Sequence, residues 1–113
     1  MVERWRLNYL LDRLGVRNER ARETIVLILE IDPTLKHPIE YDYQLVGERI
    51  GIGYKAVLYR IHDGIKRAWS KPTPELDILF NASICKRPVK PRYFLRTIKE
   101  ILDKERSSQH DTD

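Results

Sequence analysis

A chain of 113 residues with 42% hydrophobic and 34% charged residues has the make-up of one globular domain with its own core. No uncharged apolar run approaches the about 18 residues that would suggest a membrane-spanning helix, and the charged N-terminal stretch MVERWRLNYLL lacks the form of a signal peptide. The single cysteine, Cys85, excludes an internal disulfide and fits a reducing cytoplasm, while the net charge of +4 favours a polyanionic partner without demanding one.

Residues 2 to 15 place Trp5, Leu7, Leu10, Leu11 and Leu14 at helical spacing, which predicts a first amphipathic helix with these side chains in the core and Gly15 as its stop. Residues 18 to 31 predict a second helix. Asn18 can cap it, Glu19 suits the helix dipole, and the apolar run from Thr24 to Leu29 between charged flanks reads as a buried central helix. Asp32-Pro33 ends it, because proline disfavours helical backbone in the residue before it. Residues 34 to 40 form a connection with a second proline, Pro38, and His37 beside it is expected to be a solvated loop histidine.

The stretch from Tyr43 to Trp69 carries the most specific pattern. One helix is expected through Tyr43 to Ile50, a turn at Gly51-Ile52-Gly53, and a long second helix from about Tyr54 to Ser70. Gly47 removes the side chain that would hold two steeply crossing helices apart, and Gly51 permits the positive φ that a tight reversal needs. Ile52 is the apolar plug, and Val46, Ile50, Val57 and Ile61 close a small core around it. Small residue, glycine turn and apolar plug in this order mark a helix-turn-helix. Along the long helix, Val57, Ile61, Gly64, Ile65 and Ala68 fall on one stripe at 100° per residue, and Lys55, Tyr59, Asp63 and Lys66 fall opposite, beside His62. Gly64 inside a helix marks a close helix contact.

Lys71 to Pro74 stops that helix. Thr73 can cap a short following helix with Pro74 in its first turn, offering Leu76, Ile78, Leu79 and Phe80 to the core. Lys86, Arg87, Lys90 and Arg92 then form a proline-punctuated basic arm, suited to phosphate contact. Phe94, Leu95, Ile98, Ile101 and Leu102 predict a last amphipathic helix. Residues 1–105 are read as one all-α domain of about six helices with a central helix-turn-helix, and 106–113 as a flexible polar tail. No phosphate-binding glycine loop, nucleophile signature or metal-ligand spacing occurs; the histidines and Cys85 are scattered. No enzymatic activity, cofactor or metal is expected.

Ala68-Trp69-Ser70 closing the long helix, then Leu79-Phe80, then Lys90-Pro91 before a final helix, with Ile61, Ile65, Tyr43 and Arg49 in register, resembles the C-terminal effector domain of the sporulation master response regulators of endospore-forming bacteria. The similarity covers roughly Leu7 to Lys104. It implies a six-helix transcription-factor domain able to sit as tandem copies on DNA, here opening directly on the effector part without the family's receiver domain. The family reads bases with arginines and a glutamate, whereas the matching positions are Ala56, Leu58 and Tyr59, followed by His62 and Asp63, so the family's DNA preference is not carried over.

A cytoplasmic, sequence-specific regulator of double-stranded DNA, with a possible homodimer and no membrane contact, is thus the leading expectation. Lys55, Ala56, Tyr59, His62, Asp63 and Lys66 would read bases in the major groove: Ala56 against a thymine methyl, Asp63 accepting from cytosine. Arg49, Arg67, Lys71, Lys86, Arg87, Lys90 and Arg92 would hold phosphates. The rival is a protein-interaction module that keeps the fold and presents Leu58 and Tyr59 to a partner groove.

Overall fold

Glycines and prolines set most of the helix boundaries. In a computed structural model describing the backbone of residues 3–111 and the side chains of 3–106, six helices follow one another: α1 (Arg4–Arg13), α2 (Glu19–Ile31), α3 (Ile39–Ile50), α4 (Tyr54–Ser70), α5 (Pro74–Phe80) and α6 (Pro91–Asp111). There is no strand among the described residues, and no described helix is long and apolar enough to cross a membrane. Gly15 ends α1 in the left-handed conformation, with its N–H bonded to the Asp12 carbonyl and that of Val16 to the Leu11 carbonyl. Asn18 Oδ1 accepts from the N–H groups of Arg20 and Ala21, and Thr73 Oγ1 accepts from that of Leu76, the two side-chain caps the sequence suggests.

Helix α2 is the central element. Every residue from Thr24 to Leu29 is buried, and Thr24 satisfies its hydroxyl by donating to the Arg20 carbonyl one turn back. Leu7, Leu10, Leu11 and Leu14 pack from α1, and Val57, Ile61 and Ile65 from α4. On the far side Trp69, Phe80 and Phe94 join α4, α5 and α6, with ring centroids 5.4 Å apart for Trp69–Phe80 and 5.5 Å for the stacked Phe80–Phe94 pair.

Several expectations are corrected. Trp5 is not core: it is 66% exposed, because it lies about 200° round α1 from Leu7, and the Arg6 guanidinium covers its ring instead. Ile78 and Leu79 point outward at 80% and 38% exposure, because only Leu76 and Phe80, one turn apart, share the inner face of so short a helix. Helix α3 begins at Ile39, four residues before the expected Tyr43: Pro38 serves as its N-cap, and Glu40 and Asp42 suit the positive end of its dipole. Helix α6 runs to Asp111, through most of the segment read as a polar tail. Val2, Thr112 and Asp113 lie outside the described residues.

Candidate nucleic-acid interface

Only Gly51, Ile52 and Gly53 separate α3 from α4. Gly51 takes φ 76°, and the N–H groups of Gly51 and Ile52 both donate to the Gly47 carbonyl, at 2.8 and 2.9 Å. A Cβ on Gly47 would stand 2.5 Å from the Ile52 carbonyl oxygen. The returning turn, more than the crossing of the helices, is what forbids a side chain there. Ile52 and Ile50 are half-buried while Val46, Val57 and Ile61 are sealed, so the expected small core forms under the turn.

Helix α4 is two-faced. Val57, Ile61, Gly64, Ile65, Ala68 and Trp69 are buried, and a Cβ on Gly64 would lie 2.5 Å from the Ala21 Cβ. The missing side chain lets α4 lie close on α2 and fixes which face looks outward. Lys55, Ala56, Tyr59, His62 and Lys66 are exposed there, Tyr59 by 69%. Asp63 differs from the other base-reading candidates. It is half-buried and held 3.0 Å from Arg67 one turn on, so these two side chains engage each other. Leu58 is half-buried against the core, which takes it out of the apolar patch expected of an exposed Leu58–Tyr59 pair.

The phosphate candidates fall at the two ends of α4. Arg49 is exposed at the end of α3, beside exposed Glu48, and Lys71 is exposed just beyond α4. The Trp69 indole N–H donates to the Cys85 carbonyl at 3.1 Å, pinning the start of the basic arm to the C-terminal end of α4. Lys86, Arg87 and Lys90 follow it, exposed, with Arg92 half-buried in the first turn of α6. With 17 residues, α4 is about 25 Å long, so the two groups of cations stand wider apart than the roughly 12 Å width of a major groove.

Charge neutralisation separates this face from α1 and its surroundings, although Lys36, Arg96 and Lys104 elsewhere also lie in no ion pair among the described residues. Arg4, Arg6, Arg13, Arg17, Arg22 and Lys99 pair with Glu30, Glu3, Glu105, Asp12, Asp12 and Asp103. Among the described residues no ion pair holds Arg49, Lys55, Arg60, Lys66, Lys71, Lys86, Arg87, Lys90 or Arg92; of the cations proposed for contact, only Arg67 is paired.

Two cations escape a reading of the sequence. A groove of ≈ 420 Å³ runs between the first turn of α2 and the outer face of α4, with Arg20 and Arg60 on its walls beside Ala56, Tyr59 and the Asp63–Arg67 pair. Gly64 held the clue. If it rests on Ala21, then Arg20, next to Ala21, and Arg60, one turn before Gly64, face each other across the joint.

No protein-family model, curated protein or solved structure matches the chain significantly. The likeness to the sporulation effector domain therefore rests on the order and spacing of the residues named above.

Proposed function

We propose that this protein is a DNA-binding regulator that lays α4 in the major groove. The observation that carries this reading is the contrast in charge between two helices: among the described residues every cation of α4 but Arg67 lacks an acidic partner, whereas all three arginines of α1 are held in ion pairs. Unpaired, exposed lysine and arginine gain most from phosphates, because binding releases counterions and breaks no internal pair. A tight turn into a helix with one sealed face presents the other face in a fixed orientation, as groove reading requires.

In this reading Lys55, Tyr59, His62 and Lys66 read base edges, with Ala56 against a thymine methyl. Arg49 holds the phosphate backbone at one end of α4, and Lys71, Lys86, Arg87 and Lys90 hold it at the other. Asp63 and Arg67 must part to contact DNA. Arg20 and Arg60 add a phosphate contact on the α2 side. The rival, a protein-binding module, loses support with Leu58 turned to the core. Selection from a random double-stranded DNA library tests the proposal. Enrichment of a common motif, lost in a Tyr59→Ala/His62→Ala chain, is the expected outcome; a pool that stays random after repeated rounds at low salt contradicts it.

A further inference from the structure

The connection between α2 and α3 gathers three side chains that DNA binding does not use. Asp32, just past the end of α2, accepts the backbone N–H of Lys36 on Oδ1 and that of His37 on Oδ2, both at 2.9 Å. This folds the loop back on the helix end and turns the His37 ring toward α3. Its Nδ1 lies 3.1 Å from Asp42 Oδ1 and 3.4 Å from Asp32 Oδ2, and Tyr41 packs edge-on against the ring at 5.0 Å. His37 is therefore no solvated loop histidine; its side chain is 40% exposed, and one ligand atom from each of Asp32, His37 and Asp42 lies within 4.8 Å of the other two.

The protein does not balance the charge of this cluster. Asp32 is 3% exposed and Asp42 1%, and among the described residues neither forms an ion pair with a lysine or arginine. Two sealed carboxyl groups in contact repel when ionised, and each calls for a proton or a cation. Burial, with the adjoining Asp32 carboxylate, pushes the Asp42 pKa up to about 6 against the opposing pull of His37. Burial acts the same way on Asp32, but the N–H groups of His37 and Lys36 outweigh it and hold that group below its ordinary value.

The geometry points to a metal. A tetrahedral ion about 2.0 Å from each nitrogen or oxygen ligand has donors about 3.3 Å apart, close to the two separations seen at His37 Nδ1. We propose that Asp32, His37 and Asp42 form a three-ligand site for a divalent first-row transition metal, with Zn²⁺ its best-fitting probe. One imidazole and two carboxylates suit zinc, cobalt or nickel, and supply too few oxygens for calcium. Two carboxylates cancel the charge of the ion. Bound there, the metal ties the end of α2 to the first turn of α3, at the end of α3 remote from the Gly51 turn. The site is independent of whether α4 reads DNA.

The test uses the 113-residue chain carrying Cys85→Ser, which removes the exposed thiol as a competing ligand. Expected are one Zn²⁺ bound per chain, a melting temperature that rises with Zn²⁺, and imidazole resonances of His37 that move while those of His62 stay. Co²⁺ should give the absorption of a tetrahedral site. His37→Gln and Asp42→Asn should each weaken binding by more than roughly 100-fold, the upper end of what losing a mere outer-shell partner costs. No melting shift at millimolar Zn²⁺ overturns the proposal, as does binding that leaves the His37 resonances in place or survives both substitutions. Should a variant fail to fold, the His37 resonances of the parent chain decide alone.

Discussion

Helices α1 and α4 both lie against α2, yet they are built on opposite principles. Helix α1 meets the core through leucines, and each of its three arginines is matched by an acid: Arg4 by Glu30, Arg6 by Glu3, Arg13 by Glu105. Helix α4 comes close where a side chain is missing, at Gly64 on Ala21, and leaves Lys55, Arg60 and Lys66 in no ion pair among the described residues. An element that only holds the fold gains from neutralising its own surface. One that must grip an external polyanion is better left with its charge uncancelled. The contrast between the helices lies in charge and in side-chain volume, and under the proposed function it is one of purpose.

The largest expected effect falls on α1. Leu11 is fully buried, and Leu11→Ala should cost about 2–5 kcal/mol in chemical denaturation, through lost burial and the cavity left behind. A loss under about 1 kcal/mol would mean that α1 is not the leucine-packed partner described. Next comes the junction leading into α3, measured with a chelator present so that no metal contributes. The Asp42 pKa is raised to about 6, so its protonated form is favoured in the folded state. Stability from this group is present at low pH and is lost as pH rises from near 4 toward 6, by on the order of 2 kcal/mol. Asp42→Asn should flatten that decline; an unchanged pH profile would contradict the burial of the carboxyl.

Gly64→Ala should destabilise by roughly 1–2 kcal/mol, since overpacking against Ala21 outweighs the better helix propensity of alanine. Ala21→Gly placed in the same chain should return part of the loss, and a double-mutant cycle without coupling would show that the two Cβ positions do not meet. The smallest effect is expected at Arg4→Gln. Its ion pair with Glu30 is largely exposed, so stability should change by less than about 0.5 kcal/mol.

The sequence revealed backbone constraints and buried faces more readily than exposed ones. Gly15, Asn18, Gly51, Thr73 and Pro74 each act through local backbone geometry, and local geometry is what a linear sequence carries. The stripe from Val57 to Ala68 was equally readable, because a helix period leaves little choice about which residues face inward. Trp5, Ile78 and Leu79 misled because apolar character alone does not put a residue on the buried side. The start of α3 escaped because a proline in a connecting segment reads as loop punctuation, whereas Pro38 is the N-cap. Of the candidate interface, the outer face of α4 and the basic arm were legible. Arg20, Arg60 and the Asp63–Arg67 pair were not: the first two meet only through the Gly64–Ala21 joint, and the third depends on side-chain torsions. The grouping of Asp32, His37 and Asp42 depends on a loop folded back on Asp32, which no spacing rule announces.

The contrast between α1 and α4 is tested most directly by salt-dependent DNA affinity, with charge reversed on one helix at a time. Lys55→Glu/Lys66→Glu should weaken binding and lower the slope of log affinity against log salt, since two positive charges facing the DNA become negative. Arg4→Glu, reversing a charge already paired on α1, should change the slope far less. Equal slopes for the two variants, or no binding by the parent chain at low salt, would contradict the assignment of α4 as the helix that meets DNA.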